Sequence, residues 1–248
     1  MHETHAGKTV VVTGAARGIG QALAQCFAER GANVVGVDLV DQADTAGLVG
    51  KAGGQFLPVR ANLTSEAEVA AAAVSTKHRF GHADVLVNCA GIYPKASWDE
   101  LDYAAWKHVL AVNLDSQFLM CKAFVPEMKA RHCGRIINFV SGVVQNTTLG
   151  FTAYRTSKAA CIGLTRSLSS ELGEFGITAN AVAPSFVITP GVLEAGNAHA
   201  IDRVVAGQSI KRKSTAKDIA GLVLFLASDD ADFITGQTMY ADGGMLFR

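Results

Sequence analysis

Residues 8–20 read KTVVVTGAARGIG. Lys8 to Thr13 is a short β-branched run, too short for a helix and apolar enough for a strand covered on both faces. Gly14, Gly18 and Gly20 follow at G-x-x-x-G-x-G spacing, and behind them Leu23, Phe27 and Ala28 share one helical face. A strand, a glycine turn and a helix N-terminus in that order make an anion site, because free backbone N–H groups and the helix dipole converge there. The next strand, Ala32 to Val37, ends at Asp38, 24 residues beyond Gly14. A carboxylate at that place can accept both ribose hydroxyls of an adenosine and repels a 2′-phosphate. No Arg follows it, so NAD is favoured over NADP. Arg17, inside the glycine turn, is the contrary hint, since a cation there can welcome that phosphate.

Further along the chain the same alternation continues. Strand patterns at Gln55–Val59, Asp84–Asn88, Arg135–Val140, Ile177–Val182 and Thr238–Tyr240 alternate with helical ones. The helices are expected at 65–79, 103–131, 154–175 and 217–227. Such alternation predicts right-handed βαβ units, hence an α/β, doubly wound Rossmann-type domain over residues 1–248 with a parallel sheet of about seven strands. The net charge of zero gives no reason to expect nucleic acid or an acidic membrane as partner. Cys26, Cys89, Cys121, Cys133 and Cys161 are scattered without a Cys-x-x-Cys, so they read as reduced thiols and no metal site is expected. The opening MHETHAGK has no apolar core and no later run is long enough to span a bilayer, so a cytoplasmic location is expected. His2 and His5 read as part of a disordered tail.

The fifth strand runs into Ser141, and 13 residues on comes Tyr154-Arg155-Thr156-Ser157-Lys158. At four residues apart on a helix, Tyr154 and Lys158 share one face. A Lys ammonium beside a phenol favours the phenolate, so the Tyr154 pKa is expected to fall from its reference of about 10 towards neutrality. That would suit it to general acid–base work, with Ser141 adding a hydrogen bond to the reacting oxygen. Alone, this spacing is equally that of an amphipathic helix with one Tyr in the core; the surrounding motifs decide.

Together the motifs resemble the short-chain dehydrogenase/reductase family over essentially the whole chain. Thr13 to Gly20, with Gly14, Arg17, Gly18, Ile19 and Gly20, is similar to its cofactor loop, and Asn88-Cys89-Ala90-Gly91 to its Asn-Asn-Ala-Gly element. Pro184 to Thr189 resembles the segment that holds the nicotinamide carboxamide, through Pro184, Val187 and Thr189. Thr235-Gly236-Gln237 and Asp242-Gly243-Gly244 match its ending. Asn113, Ser141, Tyr154 and Lys158 fall where the family keeps its catalytic four. Asn62 stands where Asp is common and, with Leu63, is expected beside the adenine. Ser185 replaces a Gly, which would matter if the turn needed φ > 0.

The resemblance implies hydride transfer between NAD and a secondary alcohol or ketone. Tyr154 would be the acid/base, Lys158 would also hold the nicotinamide ribose, Ser141 would orient the substrate oxygen, and Asn113 would hold a water leading from Lys158 to solvent. By position, Tyr93, Val143, Val144, Gln145, Phe151, Phe186, Val192 and Leu193 are expected to line the substrate pocket, with a substrate loop at about 186–214. No Lys or Arg is evident among them, which points to a small, hydrophobic substrate. The run Gly91–Pro94, the stretch from Asn113 to Pro126 and Ala183-Pro184-Ser185 also look similar to bacterial NAD-dependent 1-phenylethanol-type dehydrogenases, and a homotetramer is the assembly that the family resemblance implies. Two other readings stay open: a 3-oxoacyl-thioester reductase using NADPH, with Lys129 and Arg131 meeting an acidic carrier, and a dinucleotide-binding protein without catalysis. His108, His132 and His199 read as surface or interface residues.

Overall fold

The structure is a computed structural model, and it describes residues 5–146, 148–194 and 201–246. His2, His199 and part of the expected substrate loop lie outside them. The strands are β1 (Thr9–Thr13), β2 (Asn33–Asp38), β3 (Phe56–Arg60), β4 (Val85–Asn88), β5 (Gly134–Phe139), β6 (Ile177–Pro184) and β7 (Thr238–Ala241). They form one seven-stranded sheet in the order β3-β2-β1-β4-β5-β6-β7. Every pairing is parallel. The helices are α1 (Gly18–Ala28), α2 (Ala43–Lys51), α3 (Glu66–Phe80), α4 (Tyr103–Leu110), α5 (Ser116–Arg131), α6 (Thr152–Leu172), α7 (Pro190–Glu194), α8 (Ile201–Gly207) and α9 (Ala216–Leu226).

The central strands read as continuous apolar runs because both their faces are covered. Alternate residues go to two cores. Val10, Val12 and Val34 pack with Leu23 and Phe27 of α1 and Ile219 and Val223 of α9. Val11, Val35 and Leu86 pack with Val69 of α3 and Met120, Phe124 and Met128 of α5. Pro58 is confined to β3, an edge strand, where its missing N–H costs no ladder bond between two neighbours. The strand order reverses between β1 and β4, so a crevice opens at the carboxyl ends of these two strands, which is where a ligand fits such a sheet.

Three local features depart from the pattern. The stretch expected as one helix at 103–131 is α4 and α5 joined by a π-helical turn, Ala111–Asp115, with Asn113 inside it. Helix α2 was not expected at all. His5 is not a loose tail residue: it is buried, with its ring edge-on to Phe27 at 5.2 Å.

Candidate active site

The crevice is a cavity of about 1390 Å³, lined by residues from the carboxyl ends of the strands and the loops beyond them. That exceeds the usual range of about 300–1,000 Å³ for a single small ligand, so a dinucleotide and a second molecule fit together. At one end sit Gly14, Arg17, Gly18, Ile19 and Gly20. Gly14 and Gly18 have φ of 69° and 64°, the left-handed region that glycine alone adopts freely. Helix α1 begins here with no side chain capping its N-terminus, which leaves N–H groups free for a phosphate. Asp38 lines the same end, and its Oδ2 accepts a hydrogen bond from Ala16 N at 2.9 Å. Arg17 turns away from it into an ion pair with Glu194 of α7 at 2.8 Å. The residues therefore fit a dinucleotide: an uncapped helix for the pyrophosphate and a carboxylate for the ribose.

Leu63, Ala90, Gly91, Pro184, Val187 and Thr189 also line the cavity. Asn62 lines it too, but its Oδ1 already accepts from Thr64 N at 3.0 Å and Thr64 Oγ1 at 2.9 Å. Asn88 does not reach the cavity. It is buried and donates to Asn138 Oδ1 at 2.9 Å, tying β4 to β5. Cys89 sits at the cavity wall, and burial pushes its thiol up to about 12, which disfavours the thiolate. Ser185 raises no strain: among the described residues, His132 alone carries a side chain at positive φ.

At the other end, Ser141 follows β5 and Tyr154 and Lys158 project from α6. The Ser141 hydroxyl accepts from Val143 N at 3.2 Å and stands near enough to the Tyr154 phenol to draw its pKa down. Lys158 Nζ lies 6.0 Å from the Tyr154 ring centroid and donates to the Phe139 carbonyl at 2.8 Å. The expectation that Lys158 draws the Tyr154 pKa towards neutrality is not met. Burial pushes the phenol up to about 12, opposed by the nearby Ser141 hydroxyl, and burial likewise lowers the pKa of the Lys158 ammonium.

Asn113 is fully buried below them. Its Oδ1 accepts from Ile92 N at 2.8 Å, and its Nδ2 donates to Ile92 O at 2.8 Å and Ser157 Oγ at 3.1 Å. Gly91 separates it from Lys158: a Cβ there would sit 3.0 Å from Asn113 Oδ1 and 3.4 Å from Lys158 Nζ.

Of the expected pocket residues, Tyr93, Val143, Phe151, Phe186 and Val192 line the cavity. The Tyr93 and Phe151 rings each stand edge-on to Tyr154 at 6.1 Å. Gln145 is a correction: its amide donates to Tyr240 Oη at 2.8 Å, so it is turned towards β7 rather than the cavity. Val144 and Leu193 also fall outside the lining. The expectation of a pocket without Lys or Arg is overturned, because Lys95 and Arg203 both line it. His108, read as a surface or interface residue, is exposed and also borders the cavity, as do Met245 and Leu246. None of these lies in a recognisable motif; only the fold brings them in.

A family model described as enoyl-(acyl carrier protein) reductase matches residues 14–246. The 3-oxoacyl-(acyl-carrier-protein) reductase FabG of Salmonella typhimurium is 36% identical over 247 residues, covering 96% of this chain and 97% of that one. The cis-4-hydroxycyclohexanecarboxylate dehydrogenase of Sinomonas cyclohexanicum is 40% identical over 247 residues, covering 98% of each chain. The crystal structure of levodione reductase superposes with a TM-score of 0.92 at 27% identity, covering 96% of this chain and 97% of that one.

Proposed function

The chain belongs to the short-chain dehydrogenase/reductase family, and from that premise we propose that it moves a hydride between NAD and a secondary alcohol or ketone. The observation that carries this reading is the convergence of Ser141, Tyr154 and Lys158 on one cavity with the glycine turn and Asp38. When bound, the nicotinamide supplies the hydride donor or acceptor. Tyr154 gives or takes the proton of the substrate oxygen, and Ser141, which lines the cavity beside that phenol, holds the same oxygen. Lys158 supports the nicotinamide ribose. Asn113 Oδ1 keeps one lone pair beyond its bond to Ile92, on the gap it shares with Lys158, and a water there would carry protons from Lys158. Tyr93, Phe151 and Phe186 give the substrate an apolar surround next to the reacting carbon.

A 3-oxoacyl-thioester reductase using NADPH is the second reading, favoured by the likeness to FabG. Two observations weigh against it. Arg131 is tied to Asp84 at 2.5 Å and the Ala83 carbonyl at 3.2 Å, and Lys129 stands 4.4 Å over the Phe175 ring, so both are engaged within the protein. Asp38 disfavours a 2′-phosphate, while the Arg17 guanidinium that would welcome one is paired with Glu194. The binding-only reading leaves the Ser141, Tyr154 and Lys158 set without a purpose. A homotetramer remains the proposed assembly, consistent with Phe118 standing half exposed on α5; light scattering on the eluted protein tests it. Among the described residues no helix is long and apolar enough to cross a membrane.

The test is initial rates on neutral secondary alcohols and ketones with each coenzyme, in the wild type and Asp38→Asn. A full charge about 4 Å from a phosphate is worth roughly 1–4 kcal/mol between water and a partly shielded surface. We therefore expect Asp38→Asn to raise the NADP-to-NAD ratio of kcat/KM about tenfold or more. A wild type that prefers NADP would overturn the coenzyme assignment and move the balance to the thioester reductase.

A further inference from the structure

We propose that the physiological substrate is a hydroxy or oxo acid, with Lys95 binding its carboxylate at the rim of the cavity. This rests on the oxidoreductase reading and goes beyond it by naming the substrate class. Tyr93 and Phe151 set their ring edges against Tyr154, so a reacting carbon beside Tyr154 is flanked by the two loops that carry them. Those same loops hold Lys95. It lies two residues past Tyr93, and its stem runs across Gly150, the residue before Phe151: a Cβ on Gly150 would sit 2.8 Å from Lys95 Cγ and 3.1 Å from its Cε. Ala96 N donates to the Gly150 carbonyl at 3.0 Å, which pins the two loops together at this point. The base of a flexible side chain is thereby ordered before any ligand arrives, which reduces the entropy lost on binding.

The charge balance of the cavity points the same way. Among the described residues, Asp38 is the one carboxylate lining the cavity, and it lies at the adenosine end, bonded to Ala16. No acidic group among the described residues stands within ion-pair distance of Lys95 or of Arg203, which lines the same cavity from α8. Of the other two cations among the described lining residues, Arg17 is paired with Glu194, and Lys158 lies buried beside Tyr154, donating to the Phe139 carbonyl rather than standing at the rim. An apolar wall next to Tyr154 with an unneutralised ammonium on its rim is complementary to a molecule with an apolar middle, a secondary alcohol or ketone at one end and an anion at the other. Arg203 adds positive charge to the same space and strengthens the selection.

The experiment compares levulinate and para-acetylbenzoate with their methyl esters in the reduction direction, using whichever coenzyme the protein takes. The two acids place their carboxylates at different reaches from the oxo group. The wild type is expected to favour at least one acid over its ester by about tenfold in kcat/KM, the size of a charge-assisted hydrogen bond at a partly exposed site. Added salt should shrink that preference. Lys95→Met, which keeps the stem over Gly150, should abolish it through KM, with ester turnover and NADH binding unchanged; Lys95→Arg should keep part of it. Equal turnover of acid and ester, refusal of both acids while neutral ketones are reduced, or a preference that survives Lys95→Met would each overturn the clamp and leave the oxidoreductase reading standing. No turnover of any ketone or alcohol would overturn that reading, and the clamp with it.

Discussion

Tyr154→Phe is expected to lower kcat about 1,000-fold while leaving NADH binding, read by its fluorescence, within about twofold of the wild type. General acid–base groups contribute about 10²- to 10⁴-fold, and Tyr154 is the phenol that lines the cavity beside Ser141 and Lys158. The substitution removes one oxygen and leaves the ring between Tyr93 and Phe151, so packing is retained. The pH dependence has a definite sign. Burial holds the phenol neutral up to about 12, so at neutral pH Tyr154 stands as an acid, ready for carbonyl reduction. Alcohol oxidation needs the phenolate. Its rate should climb steadily between about pH 6 and 10, while reduction stays level through the neutral range. The same shift bears on folding. A pKa raised above the unfolded value of about 10 adds stability below that pH, and the contribution is lost as pH rises through 12. Wild-type Tm should therefore fall more steeply than that of Tyr154→Phe between pH 10 and 12. A full-rate Phe variant would remove Tyr154 from the chemistry.

How far the sequence discloses this molecule can be argued element by element. β1 and β4 are legible because strands buried on both faces read as short runs rich in Val and Leu, and the Val10–Val12 core of Thr9–Thr13 is too short for a helix. The glycine turn is legible because its spacing fits a positive-φ bend entering a helix. Helix α2 is not, because Gly47 and Gly50 break the pattern and add no close contact that would explain them. That helix is held from outside its own sequence: Gln42, just before it, donates to the carbonyls of Gly36 and Val59, both at 3.1 Å. The π-helical turn at Ala111–Asp115 is equally hidden, since a wider turn leaves the apolar pattern of a long helix almost intact. The Tyr154 pKa shows the limit most clearly. Spacing of four does put Lys158 beside Tyr154, but the burial that decides the phenol's pKa is set by the fold around it, as is the bond from Lys158 to the Phe139 carbonyl 19 residues away. Lys95 escaped for the same reason, being brought to the cavity by a loop-to-loop contact at Gly150.

Gly20→Ala is expected to raise the Kd for NADH at least 30-fold and to lower Tm by several degrees. Helix propensity alone predicts the opposite sign, since Ala in a helix is favoured over Gly by about 0.5–1 kcal/mol. Sterics decide here. A Cβ on Gly20 would run into the Gly14 carbonyl, lying 2.7 Å from its carbon and 3.2 Å from Ala15 Cα. Both are backbone, so no rotamer change relieves the contact. Nor can Gly14 retreat, because its own Cβ position is 2.9 Å from Ala90 Cα, across the switch between β1 and β4. The glycine turn must open, which displaces the free N–H groups of α1 that face the cavity. Gly163→Ala in α6 is the matched control: nothing lies within 4 Å of a Cβ there, so propensity should prevail and Tm should rise by about 2–4 °C. Opposite signs for the same chemical change, at two helical glycines in one protein, would separate backbone crowding from propensity. A Gly20→Ala protein that melts higher and binds NADH normally would mean that α1 can shift from Gly14 at little cost, and that close approach of backbone is not what this turn requires.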